Sequence, residues 1–253
     1  MTDSADSGAD ETATPSTDTA IPAPALRFPG IWHAMPLDGS DAARQSRRAV
    51  ASALAGTGDE RAQARAILDQ RLARAAESAG DLGGRRLFLA EQVTDGVPVT
   101  AALTEILVDA KMSPAIGTAA SEVMDVLLEG FRHTDDPEAA DGERFTIGDA
   151  EVFRRVSVQV DDGGVRNVSE LGDVEPVVIE FFRSLGLPED GAVPSTSTLR
   201  VEYWVTVPTT KRVLLFSFAT PFAELREPLV NLFTAIVSTL EWIPADGTAP
   251  TAD

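Results

Sequence analysis

Apolar and polar residues alternate between Thr198 and Val207. Leu199, Val201, Tyr203, Val205 and Val207 fall on one side, and Arg200, Glu202, Trp204 and Thr206 on the other. A period of two predicts a strand with one dry face. Pro208-Thr209-Thr210 interrupts it, and Arg212 to Ala219 resumes as a run apolar on both faces, which predicts a hairpin whose second strand is covered on both sides. The spacing then changes to three and four. Leu229, Leu232, Phe233, Ile236, Val237 and Leu240 form the stripe of a buried helix face opening near Pro228, while Asn231, Thr234, Ser238 and Glu241 stay outside.

Upstream, Leu26 to Leu37 predicts an edge strand bent at Pro29-Gly30. Ser40 or Asp41 caps a helix through Leu54, Gly56-Thr57-Gly58 ends it, and Asp59 starts a second helix with Ala64, Ile67, Leu68, Leu72, Ala75 and Ala79 on one face, giving a helical hairpin. Leu87–Val93 and Val97–Val108 predict a second strand pair around Asp95-Gly96. Pro114 predicts a helix with Ile116, Ala120, Val123, Met124, Leu127 and Leu128 inward, and strands follow at Phe145–Ile147 and Val152–Val160. Glu175 to Leu187 reads as a short helix by the spacing of Val178, Phe181, Phe182 and Leu185, although Val177–Phe182 would also suit a sheet.

Val-Glu-Tyr-Trp-Val-Thr-Val-Pro from Val201, Arg-Val-Leu-Leu-Phe-Ser-Phe-Ala-Thr-Pro from Arg212, and Leu-Val-Asn-Leu-Phe-Thr-Ala-Ile-Val-Ser-Thr-Leu-Glu-Trp from Leu229 together resemble the C-terminal end of PsbP/Mog-like domains. The resemblance covers about a fifth of the chain and implies a twisted antiparallel sheet between helices, in a superfamily whose members mostly bind partners. It carries over no functional residue, and the arginine-rich helical insert departs from its small members. The expected fold is α+β: an α/β/α sandwich with an added N-terminal helical hairpin, as one domain over 26–243, with a disordered acidic tail at 1–25 and a disordered tail at 244–253.

Composition narrows the chemistry. Forty acids against 21 basic residues leave a net charge of −19, which disfavours nucleic acid and anionic membranes as partners. The exception lies between Asp41 and Arg86, where nine arginines meet six acids for a local +3, leaving −22 elsewhere. Arg44, Arg47, Arg48, Arg61 and Arg65 are therefore candidate contacts for an acidic partner or for self-association through the arginine-rich helices. The competing account is a solvated helix face. Trp204 and Phe216, expected on one sheet face with Tyr203 on the other, are candidate anchors if exposed and otherwise core. Met35, Met112 and Met124 read as core filling. No apolar run approaches a membrane span and no secretory signal opens the chain, so the cytoplasm is expected.

Catalytic signatures are missing from the sequence. Cysteine is absent, only His33 and His133 offer imidazole, and no nucleophile elbow, phosphate loop or dinucleotide fingerprint occurs. The acidic stretch around His133, Asp135, Asp136, Glu138, Asp141 and Glu143 matches no calcium-loop spacing, so no metal, cofactor or catalytic residue is assigned. The expectation is a non-enzymatic protein-binding adaptor or chaperone-like factor, serving a secretion or envelope system. The alternative is a small-molecule or lipid-binding module with a pocket between sheet and helix.

Overall fold

The computed structural model describes residues 21–93, 99–108, 110–134, 139–161 and 196–244. The chain is α+β. Among the described residues, nine strands lie at Ala23–Ala25 (β1), Ile31–Pro36 (β2), Gly84–Gln92 (β3), Ala102–Val108 (β4), Glu143–Ile147 (β5), Ala150–Asp161 (β6), Thr196–Thr206 (β7), Val213–Thr220 (β8) and Glu241–Ile243 (β9). The same residues hold four α-helices, at Asp41–Ala55 (α1), Ala62–Asp81 (α2), Ala120–Arg132 (α3) and Arg226–Val237 (α4). Seven strands form one antiparallel sheet in the order β2-β3-β4-β8-β7-β6-β5, and β1 pairs with β9 apart from it. No described helix is long and apolar enough to cross a membrane.

The alternation in β7 places Leu199, Val201, Tyr203 and Val205 under α4, all without solvent contact. Tyr203 lies opposite Phe216 and Arg154 opposite Tyr203, so these share one face, to which Phe218, Leu103 and Phe88 also belong. Phe233 of α4 stacks on Phe218 with centroids 4.4 Å apart, and Leu229, Ile236 and Val237 flank it. Pro228 occupies the third position of α4, inside the first turn whose N–H groups have no helical partner. The opposite sheet face is covered in two places. Met35, Leu37 and Leu87 pack with Ala76 and Ala79 of α2, and Val123, Met124 and Leu127 of α3 pack with Phe153 and Val213.

Several local expectations change. Phe216 does not share Trp204's face, because the β7–β8 register puts it opposite Tyr203 and puts Leu215 opposite Trp204. The polar stretch expected over 1–25 gives way at Ala23, where β1 pairs with β9 and the Pro24 carbonyl accepts a 2.8 Å bond from Arg86 Nη2. The helix expected from Pro114 begins only at Ala120. Before it the chain turns, with the Ile116 amide donating to the Ser113 carbonyl at 3.1 Å and the Gly117 amide to Glu122 Oε2. In α2 the buried side runs through Leu68, Leu72, Ala76 and Ala79, turning Ile67 outward. The turn at 95–96 and the stretch at 175–187 lie outside the described residues.

At Gly30 and Gly56 the backbone takes a positive φ that other residues rarely adopt. Gly30 has φ of 74°, and a Cβ there would meet the Gln92 carbonyl oxygen at 2.0 Å, so glycine is needed where the edge strand bulges between Ile31 and Trp32. Gly56 has φ of 86° and ends α1. At the other end of α1, Ser40 Oγ accepts the Ala43 amide at 3.1 Å, while the Ser40 amide donates to Asp38 Oδ1 at 3.0 Å. Ser40→Ala removes the cap and is expected to lower stability by about 1 kcal/mol in a urea titration. An unchanged midpoint would show that packing alone sets where α1 starts.

Candidate interaction surface

α1 and α2 lie against one another and on the β2–β3 edge of the sheet through Val50, Ala51, Leu72 and Leu89. Most of the arginines nominated from the sequence are engaged within this helix pair. Arg47 Nε donates to Asp69 Oδ1 at 2.8 Å and bridges the two helices where both groups are largely covered. Arg65 Nη1 donates to the Gly56 and Gly58 carbonyls, each at 2.7 Å, and Arg61 Nη1 reaches the Ala55 carbonyl at 3.3 Å. Arg44 donates to the Gly39 carbonyl at 2.6 Å and pairs with Asp41. Three of these guanidinium groups satisfy carbonyl oxygens left open by the chain reversal and by the helix ends, and the fourth, that of Arg47, ties the helices together.

Arg48 remains exposed, with no hydrogen bond or ion pair to a described residue, and the same holds for Arg71 and Arg74 on α2. Ile67, Arg71 and Arg74 recur at i, i+4 and i+7, so an exposed apolar side chain and two unpaired cations share one row of the helix. The nomination from sequence missed this row because alanine gives a helical wheel no phase. Once Leu72 sets the buried side, Arg71 and Arg74 are the outward positions.

Between α1, α2 and the end of β2 lies an open cleft of about 450 Å³, floored by Met35, Leu37, Ala43, Ala73 and Ala76 and rimmed by Arg44, Arg47, Asp38 and Glu77. Hydrogen bonds from the Ser40 side chain and backbone lower the Asp38 pKa, so the rim carries a carboxylate at neutral pH. The aromatic candidates separate. Phe216 is wholly buried in the core under α4 and offers nothing to a partner. Trp204 is partly exposed on the other face, with its ring edge-on to Phe131 at 4.9 Å, and packs against the cluster under α3.

The groups expected to carry any chemistry are dispersed. His33 Nε2 lies 2.8 Å from Glu91 Oε2 across the β2–β3 edge, and His133 sits exposed at the end of α3, 2.8 Å from the Glu129 carbonyl. Of the acidic stretch, residues 135–138 lie outside the described residues, Glu143 pairs with Arg154, and no group of three His, Asp or Glu residues suited to a metal ion occurs among the described residues. Arg144 is fixed by Glu151 at 2.8 Å and Asp125 at 2.6 Å, hydrogen bonds that raise its pKa further and pin β5 to β6 and α3. Glu105, buried in the sheet, accepts from Arg86 Nε at 2.8 Å. Neighbouring Arg85 stands 3.8 Å from the same carboxylate, beside the bulge between Gly84 and Arg86 where β3 pairs with β4. No family model and no curated protein matches the chain.

Proposed function

We propose that this chain is a non-enzymatic, cytoplasmic protein-binding adaptor that receives an acidic segment of its partner on the outer face of α1 and α2. The observation that carries the reading is the row of Ile67, Arg71 and Arg74, with Arg48 on the neighbouring helix. The three arginines are exposed cations with no ion pair or hydrogen bond to a described residue, on a chain whose net charge is −19. A partner carboxylate meeting these groups gains charge-assisted bonds without first breaking a pair, and Ile67 supplies apolar area in the same row. The four arginines that brace the helix pair hold this face in place. The resemblance of the C-terminal strand pair and α4 to PsbP/Mog-like domains supports the same reading, with the helix pair as an addition to that sandwich and a chaperone-like or secretion-linked role as its setting.

Charge reversal at Arg48→Glu, Arg71→Glu and Arg74→Glu tests it. Quantitative capture from the cells that make the protein is expected to lose an acidic partner by about tenfold or more relative to the parent chain. That partner's retention by the parent chain should fall steeply as salt rises, because exposed pairs are screened within about a Debye length. Thermal melting should change little, since the three side chains brace nothing. Identical recovery by both chains at every salt concentration would end the proposal.

The cleft beside β2 favours a second reading, a small-molecule carrier, because its volume and apolar floor fall within the range of ligand sites. Native mass spectrometry of freshly purified protein separates the two: an adduct lost on Ala76→Trp supports the carrier, and bare mass opposes it.

A further inference from the structure

The sheet ends at β5 and β6, and the two strands are unequal. β5 pairs with β6 only along residues 150–154, whereas β7 pairs with β6 from Val152 to Asp161. Among the described residues, the outer edge of β6 therefore has no strand beside it over residues 155–161. Its backbone donors and acceptors form a ready template for another strand. The side chains there lack the usual protection: Arg-Val-Ser-Val-Gln-Val-Asp carries no proline and no central charge, and Val158 and Val160 are 41% and 56% exposed.

The segment is complementary to itself. In an antiparallel pairing centred on Val158, Val158 meets Val158 of a second copy, Ser157 meets Gln159, Val156 meets Val160, and Arg155 falls opposite Asp161. The five central positions thus face ones of matching character, apolar with apolar and polar with polar, while Arg155 is already held by Glu202 of β7 at 3.0 Å. A two-fold axis through Val158 makes the contact isologous, so it closes at two copies. We propose that β6 edges of two copies pair in this register and join their sheets into one. The surface is separate from the outer face of α1 and α2. A seven-residue ribbon buries little beside the roughly 1,200–2,000 Å² of a stable dimer, so the dimer is expected to be weak and to form with concentration.

The absence of cysteine makes the test clean. In the full chain Val158→Cys is expected to be linked into a dimer by a short bismaleimide, because opposed residues in an antiparallel pair hold their Cβ atoms about 4.5–5.5 Å apart, too far for an unstrained disulfide and within reach of the linker. Arg48→Cys, on α1, is expected to stay monomeric under the same conditions. Sedimentation equilibrium of the parent chain should show a concentration-dependent species of twice 26.8 kDa. Val158→Asp should weaken it by about tenfold or more while leaving the melting curve in place, since Val158 is exposed. A parent chain monomeric at every concentration, cross-linking of Arg48→Cys as fast as Val158→Cys, or an unchanged dimer in Val158→Asp would each overturn the proposal. So would strong hydrogen-exchange protection of the outward-facing β6 amides in a proven monomer, because the chain's own residues would then occupy the edge.

Discussion

Phe233→Ala is expected to be the most damaging single substitution in the chain, lowering stability by about 3–5 kcal/mol. Phe233 has no solvent contact and lies nearly parallel to Phe218, which in turn meets Tyr203 edge-on at 5.8 Å. Truncation therefore removes the transfer free energy of a ring and leaves a cavity walled by two aromatic side chains that the sheet holds in place. The strands cannot collapse into it, because Tyr203 and Phe218 stand on central strands paired on both sides. Phe233→Leu keeps most of the volume and should cost less than half as much. Urea denaturation followed by tryptophan fluorescence gives the comparison, with the midpoint falling and the slope unchanged. A loss below about 1 kcal/mol would mean that α4 does not rest on the sheet through this residue.

The strand and helix that meet at this contact were legible in the sequence because each has one side marked by polar residues. Arg200, Glu202 and Thr206 mark the reverse of β7, and Asn231 and Ser238 the reverse of α4. β8 lacks such a reference. Val213 to Phe216 are apolar without a break, so parity along the strand gives no way to decide which side Phe216 takes; only the pairing with Tyr203 sets it. The same gap misplaced the phase of α2. Ala64 and Ala75 fit either side of a helix, and Leu72 alone is fully covered there.

The candidate surface was legible as a region and not residue by residue. An excess of arginine between Asp41 and Arg86 is a property of composition, but whether a guanidinium is free depends on what folding brings to it. Arg47 meets Asp69 from 22 positions away, and Arg65 turns back to carbonyls at a glycine-rich reversal. The unequal lengths of β5 and β6 were hidden for a related reason. The valines of β6 alternate as any strand's would, and only the register shows that β5 stops opposite Arg154, leaving residues 155–161 with no further strand on that side among the described residues.

Tyr203 is expected to make stability fall at high pH. It is the only tyrosine in the chain, and burial under α4 pushes its pKa up from 10.0 to about 12, against the opposing effect of the hydrogen bond with Thr234 Oγ1 at 2.8 Å. In the unfolded chain the phenol ionises near its ordinary value, so between about pH 10 and 12 the folded state holds a proton that the unfolded state has lost. Folding then binds a proton, and the stabilisation, complete below pH 10, is lost as pH rises through the folded pKa. The shift corresponds to about 2–3 kcal/mol. Tyrosinate absorbance reads this one group directly: the native protein should ionise near pH 12 and the protein in urea near pH 10. Tyr203→Phe should remove this part of the alkaline loss while costing about 1 kcal/mol at neutral pH for the missing hydroxyl bonds. Ionisation of the native protein near pH 10 would show that solvent reaches the hydroxyl between β7 and α4, and the account of Phe233 would fail with it, because both depend on that interface being closed.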